Sequence, residues 1–131
     1  MKKILVGLFI LILICIGMVL FNEYILNKNK MDVPKIISGN TYNGKKLYSL
    51  YCLTCHGENG AGINKMGPSL ANPQYLKSIT NRQIWITTAY GRKGTRMGPS
   101  LKGLSGARQL KKEDITDIVS YIRSLQSINK K

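Results

Sequence analysis

Cys52-Leu53-Thr54-Cys55-His56 decides how the rest of the chain is read. Two cysteines three apart lie on one side of a helical turn, so both sulfurs can bond to the two vinyl groups of a single haem. The histidine that follows then comes under the ring, where its imidazole can bind iron. A zinc ribbon would need a second pair of ligands, and a dithiol redox site would need a preceding strand and a βαβ frame. The chain has three cysteines and one histidine, and the third cysteine, Cys15, sits in an apolar run. Both of those alternatives therefore lack partners, which leaves a fortuitous pair of structural cysteines as the competitor to covalent haem.

Towards the N-terminus, Lys2 and Lys3 lead into an apolar run from Ile4 to Phe21. Its eighteen residues suffice to cross a bilayer as a helix with little tilt, and also match a long signal-peptide core. No small-x-small cleavage site follows Phe21. Cys15 follows Ile14, where a lipoprotein signal would place a small residue. The expectation is an uncleaved anchor over residues 1–26, with a removable signal as the alternative. The positive start holds that end in the cytoplasm and exports the remainder, although Lys28 and Lys30 weaken the asymmetry. Export agrees with the haem motif, because thioether attachment resembles a reaction done outside the bacterial cytoplasmic membrane. The expected location is a single pass in the cell membrane with the haem domain on the periplasmic side. Residues 27–39, with Asn27-Lys28-Asn29-Lys30, Pro34 and Ser38-Gly39, have the composition of a linker.

The 131 residues allow one domain, placed at residues 40–126, with a basic tail at 127–131. From residue 32 onward, eleven Lys and five Arg face two Glu and three Asp. Two haem propionates would offset part of this, and the excess calls for an acidic partner or surface. Nucleic acid is the rival partner, but no helix-turn-helix, zinc-finger or RNA-binding signature is visible, so none is expected.

Hydrophobic spacing predicts four helices and an all-α domain. The first runs from Thr41 to Cys55, with Gly44, Leu47, Tyr48 and Tyr51 at helical spacing. A short second helix covers Pro73 to Ser78, capped by Asn72. The third is bracketed by the capping-box pattern Thr80-Asn81-Arg82-Gln83 and by Gly91. Its interior, Ile84-Trp85-Ile86-Thr87-Thr88, has strand-like propensity, and only the flanks argue for helix. The fourth spans Lys111 to Gln126, with Glu113 and Asp114 in its first turn and Ile115, Ile118, Val119, Ile122 and Leu125 as its apolar stripe.

With these elements placed, residues 40–126 resemble a class I, monohaem cytochrome c of the membrane-anchored bacterial type. The likeness rests on Gly44 and Tyr48 ahead of the haem motif, on Gly67-Pro68-Ser69-Leu70, on the glycine-rich loop holding Met97, and on Ile118 with Tyr121. It implies a small helical domain wrapped around one covalent haem c, with Gly44 and Tyr48 on the first helix crossing Ile118 and Tyr121 on the last. Two departures stand out. Gly98 separates Met97 from Pro99, where many relatives place proline directly after the ligand, and Lys111 stands where relatives often place a capping Ser, Thr or Asp.

Ligation narrows the chemistry. His56 is the single histidine, so a sixth iron ligand from this chain is a methionine, a weaker group or nothing. A thioether favours ferrous iron compared with a second imidazole and suits a high-potential electron carrier. Met-Gly-Pro-Ser-Leu occurs twice, at Met66–Leu70 and Met97–Leu101. The resemblance puts the first copy in the loop that brings the Pro68 carbonyl to the histidine ring N–H, and the second in the distal ligand loop. Met97 is thus preferred to Met66 as the axial ligand.

Trp85 is either a donor to a haem propionate or haem-packing core. Tyr75 and Tyr90 are candidate pocket walls, and Arg82 is either a propionate partner or an exposed residue at a helix start. Arg92, Lys93, Arg96 and Lys102 surround the distal loop, as a docking ring for an acidic redox protein or as a solvated loop. The resulting expectation is one-electron transfer with no substrate chemistry. A fixed cytochrome subunit of a larger membrane oxidoreductase is the first alternative, and an open-iron gas- or peroxide-binding protein is the second.

Overall fold

The computed structural model describes residues 2–28, 34 and 38–128. The chain divides along its sequence into two units, 1–32 and 33–131.

The first unit carries helix α1, Lys2–Lys28. At 1.5 Å per residue it extends about 40 Å, more than the roughly 30 Å of bilayer hydrocarbon. Its large apolar side chains are exposed along its length, from Ile4 to Leu26. By length and composition it can cross a membrane, a test that a signal sequence also passes. Asn27 and Lys28 complete this helix and do not belong to the linker expected over 27–39. Residues 29–33 and 35–37 of that linker lie outside the described residues.

The second unit is helical: α2 Thr41–Tyr51, α3 Leu53–His56, a 3-10 turn Glu58–Gly60, α4 Pro73–Ser78, α5 Asn81–Tyr90 and α6 Lys112–Ile128. Isolated bridges pair Ile63 with Gly67 and Leu101 with Leu110, and there is no strand among the described residues. Of the basic tail expected over 127–131, residues 127 and 128 continue α6, and 129–131 lie outside the described residues.

Local chemistry fixes the helix ends. The Asn40 side chain accepts from the Asn43 N–H at the start of α2, and Asn72 accepts from Gln74 and Tyr75 at the start of α4. Thr80 and Gln83 form a complete capping box on α5, which nucleates helix through a stretch with strand-like propensity. Lys111 has no capping side chain of its own, yet α6 begins cleanly. Its backbone N–H donates to Asp114 Oδ2 at 2.9 Å, the reciprocal half of a capping box.

Helix α2 packs most extensively on α6. Gly44 makes the crossing close: a Cβ there would stand 2.0 Å from the Asp117 carbonyl oxygen. Four residues on, Tyr48 meets Tyr121 with ring centroids 5.2 Å apart. Asp117 clips the start of α2, accepting from the Asn40 N–H at 2.7 Å and from Asn43 Nδ2 at 2.8 Å. The α6 stripe of Ile115, Ile118, Val119, Ile122 and Leu125 is buried against Tyr48, Trp85 and Leu76, each aliphatic side chain contributing about 1.5–3 kcal/mol. Arg123, half-buried on α6, donates to Asn81 Oδ1 and to the carbonyls of Leu76 and Ile79. It thereby ties the end of α4 and the start of α5 to the last helix.

Candidate haem site

The helix expected to run unbroken from Thr41 to Cys55 is interrupted at Cys52, whose φ of −117° separates α2 from the single turn α3. That turn is held by the Cys55 and His56 N–H groups, which both donate to the Cys52 carbonyl, at 3.2 and 2.9 Å. Cys52 and Cys55 are free and half-buried. Burial pushes the Cys52 thiol up to about 11, against the opposing pull of the Arg108 charge and with a further push from Cys55.

His56 is oriented by its own loop. Its Nδ1 lies 3.0 Å from the Pro68 carbonyl oxygen. Because a carbonyl can only accept, Nδ1 carries the proton, and in the neutral ring the lone pair that a metal needs is then on Nε2. The segment that delivers Pro68 is closed on itself. Ile63 and Gly67 exchange backbone hydrogen bonds at 3.0 and 3.1 Å, and Leu70 N–H, Ala71 N–H and Ser69 Oγ all donate to the Gly60 carbonyl. Tyr48 adds a brace from α2, donating from its hydroxyl to the Gly57 carbonyl at 2.7 Å. Its spacing marks Tyr48 as a packing residue, but a contact to a backbone carbonyl nine residues away has no sequence signature.

Met97 lies half-buried in the loop after α5. Arg92 N–H donates to the Met97 carbonyl at 2.8 Å, Met97 N–H to Thr95 Oγ1 at 3.2 Å, and the Ser100 and Leu101 N–H groups to the Ala89 carbonyl, each at 3.0 Å. Met66 is 40% exposed, and its sulfur accepts from the Arg96 guanidinium at 3.1 Å. The two methionine loops therefore meet through Met66 and Arg96. Arg92, Lys93, Arg96 and Lys102 are all exposed, as is Arg82 in the first turn of α5.

Trp85 is fully buried, and its indole N–H points to Thr116 Oγ1 at 3.2 Å and the Lys112 carbonyl at 3.4 Å, partners on α6. Tyr90 stacks edge-on against it with centroids 6.3 Å apart, and Tyr75 is half-buried nearby in sequence on α4.

The donor set fits a covalent haem. Two free thiols are one helical turn apart, an imidazole has its Nε2 available, and a thioether sits on a separate, internally bonded loop. Among the described residues, no three His, Cys, Asp or Glu side chains gather as a metal cluster.

Comparison with known proteins bears on the same residues. The family model for cytochrome c matches residues 42–126. The chain is 33% identical over 93 residues to the cbb3-type cytochrome c oxidase subunit FixP of Azorhizobium caulinodans, a match covering 70% of this chain and 31% of that protein. It is 29% identical over 83 residues to the subunit CcoP of Rhodobacter capsulatus, covering 63% of this chain and 28% of the relative. The chain thus spans about a third of the length of the curated relatives it matches. Among solved structures, cytochrome cL of Methylophaga aminisulfidivorans superposes with a TM-score of 0.51 at 29% identity, covering 64% of this chain and 53% of that one.

Proposed function

Because the chain belongs to the cytochrome c family and its cofactor is covalent haem c, we propose that it is a membrane-anchored one-electron carrier with Cys52 and Cys55 as attachment points and His56 and Met97 as axial ligands. Bound haem c supplies the iron whose ferric–ferrous change carries the electron. The chain's residues do the rest. The observation that carries this reading is the 3.0 Å contact of His56 Nδ1 with the Pro68 carbonyl. It fixes the tautomer, holds the ring in one orientation and makes Nε2 a better donor. Met97 supplies a thioether that favours the reduced state. If His56 and Met97 both held the iron, no position would be left for a substrate, which would separate a carrier from a gas- or peroxide-binding protein.

Visible spectra of the purified oxidised and reduced protein test this, recorded alongside Met97→Ala and Met66→Ala. The expected result is a methionine-to-iron charge-transfer band in the oxidised protein that disappears in Met97→Ala and survives in Met66→Ala. Five-coordinate, carbon-monoxide-binding iron in the unaltered protein would sink the carrier reading.

A second reading has its own support: the relatives in Azorhizobium and Rhodobacter are named as oxidase subunits. On that reading the chain is a fixed subunit that passes electrons to or from a catalytic partner, seated in the cell membrane by α1 with its haem domain on the periplasmic side. Purification in mild detergent separates the two. A fixed subunit emerges in a lasting stoichiometric complex, and a shuttling carrier emerges alone.

A further inference from the structure

Arg108 is half-buried in the segment between Met97 and α6 and reaches two distant parts of the candidate haem site. Its Nη1 donates to the Tyr51 carbonyl at 3.0 Å, and its Nη2 to the Gly98 carbonyl at 3.2 Å. Tyr51 is the last residue of α2, directly ahead of Cys52, and Gly98 directly follows Met97. One planar guanidinium thus spans the gap between the haem-attachment turn and the distal methionine loop.

The surrounding segment is built to hold this side chain in place. Lys102 N–H donates to the Leu110 carbonyl and Leu110 N–H to the Ser100 carbonyl, each at 2.8 Å, pinning the two ends of the excursion together. Inside it, Gln109 Oε1 accepts from the Gly103 N–H, while Nε2 donates to the carbonyls of Leu104 and Gly106. Gly106 lies against Pro99 so closely that a Cβ there would stand 1.8 Å from the Pro99 carbonyl oxygen. The chain therefore folds back over the start of the second Met-Gly-Pro-Ser-Leu copy, and Arg108, two residues on, is delivered to Gly98. At Tyr51 the same cation meets the negative end of a helix dipole, which strengthens that anchor.

We propose that Arg108 is a positioning residue for the Met97 thioether, clamping the Met97–Gly98 loop to the end of α2 so that the sulfur stays fixed relative to the haem-attachment turn. The inference rests on the reading of Met97 as axial ligand. It accounts for the departure at Gly98: the loop lacks the rigidity that a proline directly after Met97 would supply, and a side-chain clamp on the Gly98 carbonyl replaces it. Lysine cannot do the same work, because a single ammonium on a flexible stem does not present the fixed fork that holds two carbonyls.

The test uses the full-length, haem-loaded chain in detergent, with Arg108→Lys, Arg108→Ala, Met97→Ala and the exposed control Lys77→Ala. Two quantities are read: the methionine charge-transfer band of the oxidised protein, and the rate at which the reduced protein takes up carbon monoxide. Both Arg108 variants are expected to weaken the band and to speed uptake by about tenfold, the shift that follows loss of a hydrogen bond from a charged group. Lys77→Ala should match the unaltered protein. Thermal unfolding by far-UV circular dichroism distinguishes a loosened loop from a loosened fold. If both Arg108 variants keep the full band and the original uptake rate, the proposal is overturned, even if their melting temperatures fall. If Arg108→Ala fails to accumulate, Arg108→Lys decides by the same two readings. A missing band in the unaltered protein, or one that survives Met97→Ala, overturns the ligand assignment, a result distinct from failure of the clamp.

Discussion

Single hydroxyls and carbonyls set the candidate site, and Tyr48 gives a direct test. It is 1% exposed, and its hydroxyl donates to the carbonyl of the buried Gly57, the residue after His56. Burial pushes its ionisation well above the usual tyrosine range, with the Cys52 and Tyr121 side chains adding to the effect, so the phenol stays a donor throughout the working pH range. Tyr48→Phe keeps the ring packed on Tyr121 and leaves the Gly57 carbonyl the longer bond from the Gly60 N–H, at 3.3 Å, which should cost about 1 kcal/mol. Guanidinium denaturation of the haem-loaded chain measures it, and an unchanged midpoint would show that the hydroxyl contributes nothing. The residue type and spacing of Tyr48 were readable in the sequence because helix crossing has a period, whereas its hydrogen bond was not, because backbone acceptors carry no residue identity. Arg108 was invisible for the same reason, since both of its partners are carbonyls. Trp85 shows the opposite difficulty: on paper an indole can reach a propionate or an α6 hydroxyl equally well, and its place 3.2 Å from Thr116 Oγ1 carries no mark in the sequence.

At the level of elements, the α2–α6 crossing was legible and the breaks around it were not. Apolar stripes located both helices, and Gly44 marked the point of closest approach. The interruption at Cys52 escaped, since nothing in Tyr51-Cys52-Leu53 is a helix breaker. Gly44→Ala pushes a methyl group into the Asp117 backbone, and rigid backbone cannot swing aside as a side chain would. A cost of about 1–3 kcal/mol is expected, which lowers the melting temperature by roughly 4–8 °C per kcal/mol in a domain of this size. The start of α6 gives a smaller figure. Asp114→Ala removes the acceptor for the Lys111 N–H and should cost about 1 kcal/mol. If calorimetry ranks Asp114→Ala above Gly44→Ala, the crossing is not the element that limits stability.

For the whole molecule, charge is the property left to assign. The chain carries a formal +14, and the four cations around the distal loop, Arg92, Lys93, Arg96 and Lys102, are all exposed. Exposed charges contribute little to folding, so their effect is expected on encounter. A positive field concentrates anionic partners, and salt screens it over about 10 Å at 0.1 M ionic strength. The measurement is electron exchange with two small inorganic complexes of matched potential, one anionic and one cationic, as salt is raised. The anion's rate should fall and the cation's should rise. Lys93→Glu with Lys102→Glu should flatten both dependences if exchange occurs near the distal loop, while the same two reversals at Lys45 and Lys46 on the outer face of α2 should leave most of the slope. Equal slopes from the two double variants would mean that net charge alone guides the encounter, and the distal ring would then be an ordinary solvated surface.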